Sequence, residues 1–164
     1  MLWREFDIEY PPHGRRSPYH ILTAEEIEGL KKDIEAICAE VDIFRFNYEG
    51  CARTSYLSKL DTVFVKGDVL PDMVFASPHP RDLMSARAVL AHEYYGHRPY
   101  RNAKFQMPAG SWNDEFRASY MAAKNAPGLS CIDKFYLIHD ALRRAGEAGV
   151  KIRHNSFIRG VIYG

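Results

Sequence analysis

His92-Glu93, His97 and the acidic pair Asp114-Glu115 are the residues of this chain whose types and spacing could do chemistry. Two histidines flanking a glutamate on a helix, followed by carboxylates on a second helix, are the parts of a zinc hydrolase. The usual form is H-E-x-x-H, which places both imidazoles on one helical face. Here the histidines are five positions apart. At about 100° per residue, five steps on a regular helix turn two side chains about 140° from each other, too far to share an ion. One extra residue in the turn, a π-bulge, would bring His92 and His97 onto a common face, and such bulges occur mainly at functional sites. Gly96, next to the second histidine, is where a backbone without Cβ absorbs that distortion most easily.

His92-Glu93-Tyr94-Tyr95-Gly96-His97 has the form H-E-x-x-G-H and resembles the zinc motif of the dipeptidyl peptidase III family of metallopeptidases. Asp114 to Ser119 is similar to that family's second motif, E-E-x-[KR]-A-[ED]. Glu115, Arg117 and Ala118 match it, while Asp114 replaces the first glutamate and Ser119 the last acidic residue. The resemblance implies that His92, His97 and Glu115 bind zinc and that Glu93 is the general base. It covers these two motifs and not the rest of the chain, so the substrate length and exopeptidase behaviour of those large two-lobed enzymes do not carry over. The chain is also similar to the small zincin-like domains of bacterial toxins and mobile-element proteins.

Zinc held by three protein ligands activates water in its fourth position, and Glu93 could take the proton and return it to a leaving amine. Asp114 is expected to accept a hydrogen bond from a ligand histidine, or to cap its helix. Candidate donors to the oxyanion are His139, His154, Tyr120 and Tyr163. His139 and His154 read equally as structural histidines. His79, between two prolines, is a remote candidate ligand and otherwise a turn residue. Tyr94 and Tyr95 are expected to pack or to line the cleft, Arg117 to pair with a carboxylate, and Arg15 and Arg16 to be solvated.

The elements that must position these groups read as an α+β fold. Residues 1–20, broken by Pro11-Pro12 and Pro18, form an extended lead-in. Thr23-x-x-Glu26 is a capping box, and Ile27, Leu30, Ile34, Ile37 and Val41 predict an amphipathic helix of about eighteen residues. Residues 43–48, 54–57 and 62–65 predict a small antiparallel meander, with Met73-Val74-Phe75 adding an edge or a turn. Val63 to Lys66 is either a peptide-holding edge or a plain core strand. A helix starting at Asp82 or Ser85 carries the histidines, and Gly96 and Pro99 end it. Ser111 caps the glutamate helix, whose expected buried side is Phe116, Tyr120, Met121 and Ala123. Ser130 and Asp133 cap a further helix carrying Ile132, Phe135, Tyr136, His139, Leu142 and Ala145. Residues 150–164 could form a strand or a docked arm.

The chain has 164 residues, which fits a single zincin-like domain over 1–164 with a sizeable core. A net charge of +1 argues against a nucleic-acid binder driven by phosphate attraction. Cys38, Cys51 and Cys131 form no C-x-x-C and read as reduced buried thiols. The amino terminus lacks the apolar run of a signal peptide and no segment suits a membrane, so a cytoplasmic protein is expected. The expectation is therefore a zinc metallopeptidase acting on peptide or protein. The alternatives are a catalytically silent zincin-derived binding module and a zinc amidohydrolase on a non-peptide amide.

Overall fold

A computed structural model describes residues 14–72 and 79–164. The expected short edge at Met73 to Phe75 and most of the lead-in lie outside the described residues. The architecture is α+β, with a three-stranded sheet on one side and a larger helical layer on the other.

Helix α1 spans Ala24–Ala36, with Thr23 and Glu26 closing the capping box. It buries Leu30, Ile34 and Ile37. The helix is shorter than its apolar spacing suggests because Cys38 adopts a left-handed φ of 56°. Val41 consequently falls in a separate 3₁₀ turn and is exposed.

The strands are β1 (Phe44–Phe46), β2 (Ser55–Leu57) and β3 (Thr62–Val65). Their order is β1-β3-β2, with β1 parallel and β2 antiparallel to β3. This corrects the expected antiparallel meander. Val63, Phe64 and Val65 are all buried, and a strand apolar on both faces belongs in the middle of a sheet. The segment from Val63 is therefore not an edge. The edge strand near the candidate site is β2, which packs against the turn carrying the histidines.

Arg15, expected to be solvated, is spent inside the fold. Its Nε donates to the Asp68 carbonyl at 2.7 Å and its Nη1 to the Met84 carbonyl at 2.7 Å, with Nη2 on Val69. Burial lowers its pKa to about 10. This clamp ties the end of the lead-in to the segment before the metal motif.

Helices α2 (Pro80–Leu83) and α3 (Ala86–Ala91) approach the motif. Ser85 caps α3 and also donates to Asp133 at 2.6 Å, linking α3 to the helix that Ser130 caps. Helix α4 spans Trp112–Asn125, α5 Cys131–Glu147 and α6 Ser156–Tyr163. The α4 interface differs from expectation. Ala118, Ser119, Ala122 and Ala123 are buried, whereas Phe116, Tyr120 and Met121 are half-buried. Small residues let α4 lie close to α5 and to the histidine turn, its main neighbours. On α5 the inward residues are Leu137, Ile138, Asp140 and Ala141, and Ile132 is exposed. The tail forms helix α6, capped by Asn155 and anchored by Ile158, instead of a strand.

Cys38 and Cys131 are exposed and Cys51 half-buried, so the thiols are free but not buried as expected. No helix among the described residues is long and apolar enough to cross a membrane.

Candidate metal centre

Residues His92–His97 form a π-helical turn between α3 and a 3₁₀ turn at Arg98–Tyr100. The widened turn swings both imidazoles to one side, with ring centroids 4.9 Å apart. Gly96 contributes differently from the sequence reading. A Cβ built on it would collide with the Ala118 backbone of α4. It is the close approach of two backbones that requires glycine, and this approach sets Glu115, three residues before Ala118, against the histidines.

Ser111 caps α4, so Glu115 sits in its first turn. Glu115 Oε1 lies 3.1 Å from His92 Nε2, and its Oε2 lies 3.3 Å from His97 Nε2. Ligand atoms of all three residues fall within 4.8 Å of one another. Ligands bound tetrahedrally at about 2.0–2.1 Å stand about 3.3 Å apart, so this spacing suits one small cation.

The tautomer of His92 follows from its other nitrogen. His92 Nδ1 is 2.9 Å from Ser119 Oγ, and Ser119 Oγ is 2.6 Å from Asp140 Oδ2. Asp140 is fully buried, and Arg144 Nε lies 3.0 Å from each of its oxygens. The serine has one hydrogen to give, and it goes to the carboxylate. Its oxygen therefore accepts the Nδ1–H of His92, leaving Nε2 aimed at Glu115. Two imidazoles and a carboxylate, one imidazole oriented by a hydrogen-bonded chain, are the donor set of a catalytic zinc site. The residues fit the metal.

Charge is concentrated here. Burial opposes protonation of His97, but Glu115, Glu93 and Asp114 outweigh it and raise its pKa to about 9. Burial likewise opposes ionisation of Glu115, yet the two histidines hold its pKa far below the ordinary carboxylate value. Glu93 is pushed the other way, chiefly by burial and also by the charge of Glu115. The facing histidines and a hydrogen bond with the Tyr56 backbone on β2 partly offset that rise.

No family model, curated protein or solved structure matches this chain.

The centre opens into a cavity of about 790 Å³ whose lining includes Glu93, Asp114, Glu115, Arg144, and Ser55 and Tyr56 of β2. Asp114 Oδ1 is 3.7 Å from His97 Nδ1, an ion-pair distance and longer than a hydrogen bond. Asp114 also accepts from the Gly110 N–H and pairs with Arg117 at 3.5 Å.

The four expected oxyanion donors do not line the cavity. Tyr120 accepts a hydrogen bond from Asn155 at 2.8 Å, and Tyr163 on α6 is exposed. His139 stacks on Phe135 at 4.2 Å, and the His154 carbonyl accepts from Arg159. Tyr120 packs toward the tail, where it also meets Phe157 of α6. His79 caps α2 and stands 3.5 Å from Glu147, apart from the metal ligands. Tyr94 and Tyr95 do not line the cavity either. Tyr94 stacks on Phe44, and the Tyr95 hydroxyl donates to the Ile37 carbonyl.

Ser119, Asp140 and Arg144 escaped the sequence reading. Ser119 occupies the position where the resembled motif has a carboxylate, and that departure was the available signal. Asp140 and Arg144, four apart on α5, supply the missing charge across the helix interface.

Proposed function

We propose that this chain is a zinc-dependent hydrolase of peptide bonds with a zincin-like arrangement of sheet, metal helix and glutamate helix. The convergence of His92, His97 and Glu115 around one point, with a buried glutamate beside them, carries this reading. The H-E-x-x-G-H resemblance supports it independently of the geometry. A zinc ion bound there would polarise the scissile carbonyl and acidify the attacking water.

The chain's own residues do the rest. Glu93 takes the water's proton and delivers it to the leaving amine, and burial in the cavity wall raises its affinity for that proton. Ser119 and Asp140 hold the His92 ring in the ligating tautomer. Arg144 Nη1 lies 3.6 Å from Glu115 Oε1 and its Nε holds Asp140, so its charge supports the third ligand and the chain that orients His92.

Protein purified without chelator should carry about one equivalent of zinc, and removing any of the three ligands should release it. Glu93→Gln should keep the zinc and lose about 10²–10⁴-fold in activity against a mixed peptide library. A zinc-loaded parent protein no more active than Glu93→Gln would replace the hydrolase with a binding module.

A further inference from the structure

We infer that the cavity selects acidic peptide segments, placing their carboxylates on arginines that the fold leaves unneutralised. This rests on the hydrolase reading for the kind of substrate, but the charge recognition can be measured without turnover.

Among the described residues, seven arginines and no lysine line the cavity, against six carboxylates. Zinc at the ligand set would add two further positive charges. Arg15 is spent on backbone carbonyls and Arg144 on Asp140 and Glu115. Among the described residues the other five have no carboxylate closer than 3.5 Å, although Arg101 Nη1 donates to the Arg98 carbonyl at 2.9 Å and Arg117 lies over Tyr100. Arg53, beside β2, is exposed and has no side-chain partner among the described residues. Arg81 approaches a carboxylate at 3.8 Å, as does Arg101. Arg16 and Arg117 do so at 3.5 Å. Guanidinium groups held this loosely keep donors free for the planar, two-pronged pairing that carboxylates accept.

The positions distinguish a peptide from other polyanions. Arg53 immediately precedes Thr54 and Ser55 and lines the cavity with them, so a peptide lying in the cavity beside β2 would bring its side chains past this guanidinium. Arg101, on the segment after His97, stands near Asp61, which the Tyr56 hydroxyl of β2 also reaches, and Arg117 lies on α4. Nucleic acid is favoured less because the described residues of the cavity offer little to stack bases on. Of the two tyrosines among them, Tyr100 is already covered by Arg117, whose guanidinium carbon is 4.1 Å from the ring centroid, and the Tyr56 hydroxyl is held by Asp61 at 2.7 Å.

Zinc-loaded Glu93→Gln protein should be titrated, by fluorescence anisotropy, with labelled peptides of one length carrying Glu and Asp, their amides, or Lys. An oligonucleotide of matching charge completes the set. The acidic peptide should bind about tenfold tighter than its amide counterpart, the sum expected of two or three partly exposed charge pairs, and the gain should shrink with salt. Arg53→Glu, at an exposed site without partners, should remove several-fold of that preference, and adding Arg101→Gln should bring the two peptides to parity. Equal binding of acidic and amide peptides, or tighter binding of the oligonucleotide, overturns the inference. Zinc content is read on the same samples. A preparation that binds no zinc but still prefers acidic peptides sinks the hydrolase proposal alone, whereas a zinc-loaded one without preference sinks the acidic selectivity alone.

Discussion

Ser119 illustrates how much a single hydroxyl hydrogen decides. Because it is given to Asp140, the serine oxygen must accept from His92, and the ring can present only Nε2 to a metal. Ser119→Ala leaves Asp140 paired with Arg144 and should leave the fold largely intact, while freeing the imidazole to rotate and change tautomer. Zinc affinity should fall about 10–100-fold, measured by competition with a chromophoric chelator. The nitrogen shifts of His92 in the metal-free variant should move toward a mixture of tautomers. An unchanged affinity with unchanged shifts would show that the chain of hydrogen bonds does not orient the ring. Legibility is uneven at this scale. His92, Glu93, His97 and Glu115 could be picked out because motif residues lie near one another in sequence. Asp140 could not, since its link to His92 passes through Ser119 from a different helix. The oxyanion candidates failed for a related reason, being chosen by residue type without knowledge of whether their elements turn them toward the cavity.

At the scale of elements, the π turn and α4 form one unit. The five-residue spacing between histidines announced a widened turn, because no regular helix could bring them together. The role of Gly96 was not legible, because it depends on how closely α4 approaches. Gly96→Ala should force α4 outward, with a cost of about 1–3 kcal/mol as for other overpacked sites. Denaturant unfolding measures that cost. Glu115 should retreat with the helix, so zinc affinity should weaken as well, whereas a substitution that only lowered helix stability would leave the metal site unchanged in the folded protein. Capping signals were read well, as Thr23, Ser85, Ser111, Ser130 and their helices show. These depend on three or four neighbouring residues. Strand order was misread because β1 and β2 both satisfy local pattern rules, and only the two-sided burial of β3 makes it central. The tail, left open between a strand and a docked arm, docks on α5 as a helix, because Phe157, Ile158, Val161 and Ile162 fit either period and packing on α5 selects the helix.

At the scale of the whole molecule, the centre joins three stretches of chain that meet only when the core is formed. His92 and His97 come from the π turn, Glu115 from α4, and the support of His92 from α5. An unfolded chain holds no such arrangement, so zinc binding must stabilise the fold. Free zinc at one hundred times the dissociation constant should add about 2.7 kcal/mol, or about 5–10 °C in melting temperature for a domain of this size. The increment should depend on pH. In the metal-free protein the pKa of His97 stands near 9 against an ordinary 6.5. Its proton therefore stabilises the folded state fully below about pH 6.5, and that contribution is lost as pH rises through about 9. Zinc must displace the same proton, so it competes poorly at pH 6 and well at pH 8.5. Melting temperatures at a fixed total zinc concentration should show a small rise at pH 6 and a larger one at pH 8.5. Calorimetry in two buffers of different ionisation enthalpy should find about one proton released per zinc bound near neutral pH. Glu115→Ala removes both the third ligand and the carboxylate that holds the proton on His97, and should abolish the increment together with its pH dependence. An increment that is flat with pH, or one that survives Glu115→Ala, would place the stabilising ion elsewhere on the molecule.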